Sequence, residues 1–264
     1  MKKPVNIALF GFGRIGRNIF RLGYDNPNYK FVAVSDFGSA EALHDLLSRD
    51  SVHGSMKEDV KLEKNHLVVK DQFVRVIQGG RPGNIPWDAF DVDVVIDATG
   101  QSLPKNDLEL HLKSGAKRVF TTKNPRNKID RYVIPGINEE TIKVSDKVIS
   151  TTSSTTQVLA LMIKMLDETF GLERAMMTTV HAYTADQPLA DAAGIDLRRS
   201  RSAAENIIPN TSTAPEIVEK IMPQFSGKLD GIAFNVPVPN GSCVDLTTQL
   251  KTMPSINDAN DAIK

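Results

Sequence analysis

Gly11, Gly13 and Gly16 form G-x-G-x-x-G between a short apolar run and an amphipathic one. The run PVNIALF, Pro4 to Phe10, has the length and Val/Ile content of a buried strand. After the glycines, Ile15, Ile19, Phe20 and Leu22 recur at near-helical spacing with Arg14, Arg17 and Arg21 between them, which predicts a helix opening at Gly13. FVAVS, Phe31 to Ser35, predicts a second strand ending at Asp36, about 20 residues past the last glycine. This order is a βαβ unit, and its spacing points to dinucleotide binding over a purely structural glycine turn with a surface aspartate. The first glycine permits the tight turn, the second lets backbone approach a pyrophosphate, and the third lets helix and strand pack closely. The helix start offers unpaired N–H groups to the anion, and Asp36 is placed for the adenosine ribose. A carboxylate there repels a ribose 2′-phosphate, so Asp36 favours NAD over NADP.

Length and charge narrow the rest. The chain has 264 residues, which at about 150 residues per domain predicts two domains. Lys+Arg and Asp+Glu are both 32, for zero formal net charge. Nucleic acid needs a basic field, so no nucleic-acid partner is expected. A lone cysteine, Cys243, excludes an internal disulfide and a cysteine-based zinc site, and no metal is expected. Its plainest reading is a small apolar strand residue. No apolar run approaches about 18 residues, and no secretion signal is read at the start, so a cytoplasmic protein is expected, with no membrane partner.

Further along, Glu41 to Arg49 reads as helix, and VKLEK, HLVVKD and FVRVIQ read as antiparallel strands inserted in the first domain. Val92 to Ala98 predicts a buried strand ending at Thr99-Gly100, and RVFT and KVIS predict two more. A boundary near residue 150 divides a dinucleotide-binding domain, 1–150, from a substrate domain, 151–264. Gln157 to Phe170 predicts a helix stopped by Gly171, Arg174 to Ala182 a strand, and Pro215 to Met222 a helix. Ala185 to Ala204 is polar, small and Arg-rich, and reads as a long loop. Ile232 to Val238 and Cys243 to Leu250 alternate as strands, and Pro254 to Asn257 opens a final helix.

Two features of the second half carry chemistry. Ser150 to Thr156 is an unbroken run of hydroxyl residues leading into a helix, which suits an N-cap and phosphate contacts. TTVHAYT places His181 at a strand end, and a histidine beside a hydroxyl-rich turn is a candidate base–nucleophile pair.

The segments NIALFGFGRIGRNIFR, SRDSVHGS, TTVHAYTADQ, LRRSRSAAENIIP and GKLDGIAFNVPVPNGS together resemble the phosphorylating glyceraldehyde-3-phosphate dehydrogenases, along nearly the whole chain. The resemblance implies an α/β protein. A Rossmann-type doubly wound domain would be followed by an α+β catalytic domain with a mixed sheet, assembled as a homotetramer. It implies NAD, with NADP as the other candidate, bound at Gly11, Gly13, Arg14, Ile15, Gly16, Asp36, Arg81, Thr99 and Gly100. It implies a phosphorylated aldehyde and inorganic phosphate as reaction partners. In the family a thiolate attacks the aldehyde with a histidine's help, hydride passes to the nicotinamide, and phosphate releases the acyl group. His181 matches that histidine. Thr184 and Asp186 match positions around the substrate phosphate. Ser153 and Thr155 flank the nucleophile and would help bind inorganic phosphate. Arg199 matches an arginine near that anion, and the loop from Ala185 matches a loop that reaches a neighbouring subunit's cofactor.

The departures are as specific. The nucleophilic cysteine's position holds Ser154; the small residue two before it is Thr152, and the asparagine three after it is Gln157. The arginine expected before VPVP is Asn235, the family's Ser-Thr-Gly turn reads Thr211-Ser212-Thr213, and Ala192-Ala193 stands where NAD-specific members have Leu-Pro, which weakens an NAD-only reading. Ser212 and Asn235 are retained as candidate phosphate residues. Relative to the family the catalytic half is short: its last strands and long C-terminal helix are not in the sequence. Three functions remain open: an aldehyde-oxidising dehydrogenase impaired at Ser154, a non-catalytic dinucleotide-binding relative, and a serine acyl hydrolase using Ser154 and His181.

Overall fold

The computed structural model describes residues 3–194 and 196–264. Its first unit comprises the residues up to Val133 together with Thr141–Thr152. Strand β1 (Val5–Phe10) leads through Gly11–Gly13 into helix α1 (Arg14–Gly23), and β2 (Tyr29–Asp36) is followed by α2 (Ala40–Ser48). A two-residue hairpin, β3 (Arg49–Asp50) and β4 (Gly54–Ser55), precedes β5 (Lys61–Glu63), β6 (His66–Val69) and β7 (Gln72–Gln78). Then come β8 (Val94–Asp97), α3 (Lys105–Lys113), β9 (Arg118–Thr121), β10 (Arg131–Tyr132) and β11 (Val148–Ser150).

All except β3 and β4 join one nine-stranded sheet of order β10-β11-β9-β8-β1-β2-β7-β6-β5. The expectation for residues 61–78 needs correction. β5–β6 and β6–β7 are antiparallel, but β7 lies parallel to β2, with Val34 opposite Val76. It is therefore a strand of the main sheet. Val74 and Val76 are buried with Leu9, Leu43 and Leu47, an apolar face that an edge insertion would leave wet. The hydrophobic pattern could not show strand direction, which the crossover through α2 sets.

β1 is buried from Asn6 onward because both faces of the sheet are covered. Ile7 and Leu9 pack with Phe20 of α1 and Leu43 and Leu47 of α2. Ala8 and Phe10 face the other way, onto Ile85, Trp87 and Val95.

The second unit comprises Ile134–Glu140 and Ser153–Lys264. It contains α4 (Ser154–Phe170), β12 (Leu172–Ala182), β13 (Ile208–Thr211), α5 (Ala214–Ile221), β14 (Leu229–Val236), β15 (Ser242–Leu250) and α6 (Ile256–Ile263). The sheet order is β13-β14-β12-β15, with β12–β14 parallel and the other pairs antiparallel. Helices α4 and α5 cover one face through Leu159, Ile163, Ala214 and Val218, against Ala175 and Met177 of β12. Gly171 at φ +70 ends α4, as a C-terminal glycine does. Ser255 and Asp258 cap α6 reciprocally. Among the described residues no helix is long and apolar enough to cross a membrane.

One buried histidine links packing to pH. His111 of α3 is fully buried, its ring edge-on to Phe10 with centroids 4.7 Å apart. The indole Nε1–H of Trp87 donates to His111 Nδ1 at 3.0 Å, so the ring is neutral with its proton on Nε2. Burial lowers its pKa to about 4 from 6.5. Between those values the unfolded chain takes up a proton that the folded chain refuses. This contribution is therefore intact above the unfolded pKa and is lost as pH falls toward the folded one. Urea titrations from pH 7 to pH 4.5 should show about 2–3 kcal/mol of stability lost through His111. His111→Gln, which keeps an acceptor for Trp87, should have a visibly shallower slope. Equal slopes would refute the assignment.

Candidate active site

In the first unit the chain runs β1, β2 and β7 to one side, then returns to β8 on the other side of β1. The strand order reverses between β1 and β8, and a crevice opens there at the carboxyl ends of the strands. The three glycines lie at this point, each in a different environment. Gly11 has φ +92, and a Cβ on it would stand 2.7 Å from the Thr99 nitrogen. A Cβ on Gly16 would stand 2.2 Å from the Gly11 carbonyl oxygen, so helix and turn pack to backbone contact. A Cβ on Gly13 would meet nothing within 4 Å. Gly13 is the N-cap of α1 and supplies no side chain to the first-turn N–H groups, and that turn carries no acidic residue. Open space at a helix start that no side chain caps fits a pyrophosphate.

Asp36 ends β2 and has two jobs. Its Oδ2 accepts from the Phe12 N–H at 2.7 Å and its Oδ1 from the Gly38 N–H at 3.1 Å. It therefore fastens the glycine turn as well as presenting a carboxylate beside it. Arg14 and Ile15 form the exposed first turn of α1. Arg81 is exposed just after Gly79-Gly80, a turn tied to β2 by Gly79 N–H to the Asp36 carbonyl at 2.6 Å. Thr99 and Gly100 follow β8. The Thr99 N–H and Oγ1–H donate to Asp97 Oδ1 at 3.0 and 2.7 Å, and Gly100 has φ +75. Sequence reading passed over Asp97, although an aspartate two residues before a threonine is a turn signal. Burial pushes its carboxyl pKa up, against the two bonds from Thr99.

The end of the hydroxyl run, Ser154 to Thr156, forms the start of α4, three residues earlier than the apolar pattern indicated. Thr152 has φ +63 and is buried, an uncommon conformation for a β-branched residue. Its N–H donates to Ser150 Oγ at 3.0 Å. Ser153 is the N-cap, its Oγ accepting from the Thr156 N–H at 3.1 Å and lying 2.8 Å from Thr156 Oγ1. Ser154 is the first helical residue and is exposed; Thr155 follows, half-buried. The positive end of the helix dipole thus lies at the Ser154 hydroxyl.

His181 lies near the end of β12, with Asn235 of β14 and Ser242 of β15 as register partners. By strand alternation its side chain is on the face of Ala175, Met177 and Thr179, the face α4 covers. His181 Nδ1–H donates to the Ala182 carbonyl at 2.7 Å. The carbonyl can only accept, so the Nε2 lone pair is left to act as a base. Asn235 Nδ2 donates to the same carbonyl at 3.3 Å, and Asn210 Nδ2 donates to Asn235 Oδ1 at 3.0 Å. Asn210 was missed in the sequence, since only strand pairing brings β13 beside β14. This network also answers the acyl-hydrolase reading. A serine triad orients its histidine with a carboxylate, and here a backbone carbonyl does so.

The remaining candidates form two groups. Thr184 Oγ1 donates to Asp186, which is ion-paired with Arg199, so these three meet. The Thr184 N–H donates to Gln187 Oε1 at 3.1 Å. The loop holding Arg199 is braced from within: Arg201 pairs with Asp191, and Ser202 Oγ donates to the Leu189 carbonyl at 2.6 Å. Ser212 lies apart, its Oγ accepting from the Ala214 N–H at 3.2 Å at the start of α5. Cys243 is exposed on β15. Among the described residues no cluster of His, Cys, Asp or Glu could hold a metal ion.

Comparison with known proteins agrees with this geometry. Residues 5–105 match the family described as glyceraldehyde 3-phosphate dehydrogenase, NAD binding domain, and residues 153–264 match its C-terminal domain. The chain is 42% identical over 263 residues to glyceraldehyde-3-phosphate dehydrogenase of Geobacillus stearothermophilus, covering 98% of this chain and 78% of the relative. It is 41% identical over 261 residues to glyceraldehyde-3-phosphate dehydrogenase 1 of Bacillus subtilis (strain 168), with the same coverage. Chloroplastic glyceraldehyde-3-phosphate dehydrogenase A of Scenedesmus vacuolatus is 40% identical over 258 residues, covering 96% of this chain and 82% of the relative. These relatives do not favour the non-catalytic alternative. With family models matching both units and about two-fifths of its residues shared with relatives along nearly its whole length, this chain belongs to the glyceraldehyde-3-phosphate dehydrogenase family as an NAD-dependent oxidoreductase.

Proposed function

We propose that the first unit binds NAD and the second binds a phosphorylated aldehyde and inorganic phosphate, with Ser154 as nucleophile and His181 as base. The tautomer of His181 is the observation that carries this reading: Nδ1–H is committed to the Ala182 carbonyl and Nε2 is left basic. Gly11, Gly13, Arg14, Ile15 and Gly16 would hold the pyrophosphate, Asp36 and Arg81 the adenosine half, and Thr99 and Gly100 the half beyond the turn. NAD, when bound, supplies the hydride acceptor. Ser154 Oγ would add to the aldehyde carbon while His181 takes its proton, and the α4 N-terminus would steady the oxygen's growing charge. Ser153, Thr155, Thr184, Arg199 and Asn235 would hold the phosphate groups, with Asp186 positioning Thr184 and Arg199, while Ser212 stands apart at the start of α5. Arg199 brings a cation to that set, already shared with Asp186.

Serine makes this chemistry slow. A thiol has a usable thiolate fraction near neutral pH and a hydroxyl does not, so His181 must remove the proton during attack. The acyl product on Ser154 is an ester, less readily attacked by phosphate than a thioester. We therefore read the protein as a dehydrogenase impaired at one atom.

We also propose a cytoplasmic homo-oligomer, a tetramer by family. Support comes from the face of the four-stranded sheet opposite α4 and α5. There Thr211, Ile232, Thr178 and Asp245 form one cross-strand row, and Pro209, Phe234, Val180 and Cys243 the next. Ile232 and neighbouring Met176 are each 42% exposed, apolar surface that a second copy would bury.

Three outcomes are expected. With glyceraldehyde 3-phosphate, phosphate and NAD, Ser154→Cys should raise the rate of absorbance gain at least about 100-fold over wild type; a wild type as fast as the variant would sink the serine reading. Gly13→Ala should keep the wild-type Tm while weakening NAD about ten-fold, whereas Gly16→Ala should lower Tm itself, because only the latter clashes in the empty protein. Light scattering should find wild type larger than a monomer and Ile232→Glu smaller than wild type; a monomeric wild type at tens of micromolar would refute the interface.

A further inference from the structure

The sheet topology places a buried carboxylate against the glycine turn, and the dinucleotide reading leaves it unused. Asp97 ends β8 beside Phe10 of β1 and Thr121 of β9, and is 1% exposed. Its Oδ1 accepts both the N–H and the hydroxyl of Thr99. That Thr99 nitrogen is the atom a Cβ on Gly11 would strike at 2.7 Å. Beyond it, the Gln101 N–H donates to Thr99 Oγ1 at 3.3 Å, so the turn continues across Gly100. On the other side the Asp97 carbonyl accepts from the Thr122 N–H at 3.1 Å and its hydroxyl at 3.2 Å. Asp97 is thus the joint between the glycine turn and the start of the next segment, at the point where the strand order reverses.

Its second oxygen gives the role away. Oδ2 is buried and meets no hydrogen-bond donor among the described residues. An orphaned carboxylate oxygen is costly to bury, so what its partner oxygen holds has to account for it. The work the structure shows is done by Oδ1 alone.

We propose that Asp97 is a positioning residue for the dinucleotide: through Oδ1 it holds the Thr99–Gly100 turn against Gly11, and so shapes the wall of the crevice on the side of β1 away from Asp36. Asp36 at the end of β2 takes the adenosine side, and the reversal point directs the rest of the molecule past Gly11 toward β8. Asp97 itself need not touch the ligand. The inference rests on the dinucleotide site proposed above, and the test separates the two.

Isothermal titration of the 264-residue chain with NAD and with AMP reads both halves of the site. Wild type should bind both; if it binds neither, the site reading fails and this inference with it. Asp97→Ala should weaken NAD about ten-fold, two lost hydrogen bonds' worth, and change AMP by less than about two-fold. Asp97→Asn keeps an acceptor at Oδ1 and should restore NAD affinity to within about two-fold of wild type. Thr99→Val, which removes one of the two donors without disturbing Asp97, should weaken NAD about two- to five-fold and spare AMP. Equal weakening of NAD and AMP in both Asp97→Ala and Thr99→Val would mean general damage to the unit and would overturn the proposal. So would unchanged NAD affinity in Asp97→Ala, or an Asp97→Asn variant as weak as Asp97→Ala.

Discussion

The closest constraint in the molecule is the contact between helix α1 and the turn that feeds it. With 2.2 Å between the Gly11 carbonyl oxygen and the place a Gly16 Cβ would occupy, position 16 accepts only glycine without moving backbone. That contact lets Phe20 reach the core shared by Leu9 and Phe31, and it aims the first-turn N–H groups out of the carboxyl edge of the sheet. Asp36 closes the arrangement by holding the Phe12 N–H. A neighbouring, partly buried ion pair, Arg17 with Asp50 at 3.0 Å, ties the same helix to the β3–β4 hairpin, while Arg17 Nη1 donates to the Phe12 carbonyl at 3.2 Å. The turn is therefore held from three sides before any ligand arrives, which is the preorganisation that anion binding by neutral amides requires.

The second unit uses a different device. A carbonyl shared by His181 and Asn235 fixes which nitrogen of the imidazole carries the proton. The Asn210–Asn235 bond holds that amide in turn, so a chain of neutral groups fixes the tautomer. Strain is kept at Thr152, the last residue of the first unit: a β-branched residue at φ +63 stands two positions before Ser154.

Much of this was legible in the residues. The strand–glycine–helix–strand pattern placed β1, α1 and β2 to within one or two residues, because each has a period or a breaker of its own. Family membership was legible in five segments together. The cofactor class followed from the spacing of Asp36. Less was legible where partners lie far apart in sequence. The parallel pairing of β7 with β2, the short strands β10 and β13, and the role of Asn210 each depend on which strand lies beside which. Asp97 was passed over inside a strand expected from Val92 to Ala98, since nothing local shows that its second oxygen meets no donor among the described residues.

The sequence by itself determined the elements, the glycine turn, the class of cofactor and the family. These are local or pairwise properties, set by backbone sterics, side-chain period and chemical identity. Tertiary structure alone decided what each polar atom meets: Asp36 on the Phe12 N–H, His181 on the Ala182 carbonyl, Asp186 between Thr184 and Arg199, and Asp97 one-sidedly on Thr99. The reason is physical. A hydrogen bond depends on distance and angle at a fraction of an ångström, and only the packed sheet and helices bring those groups within that range.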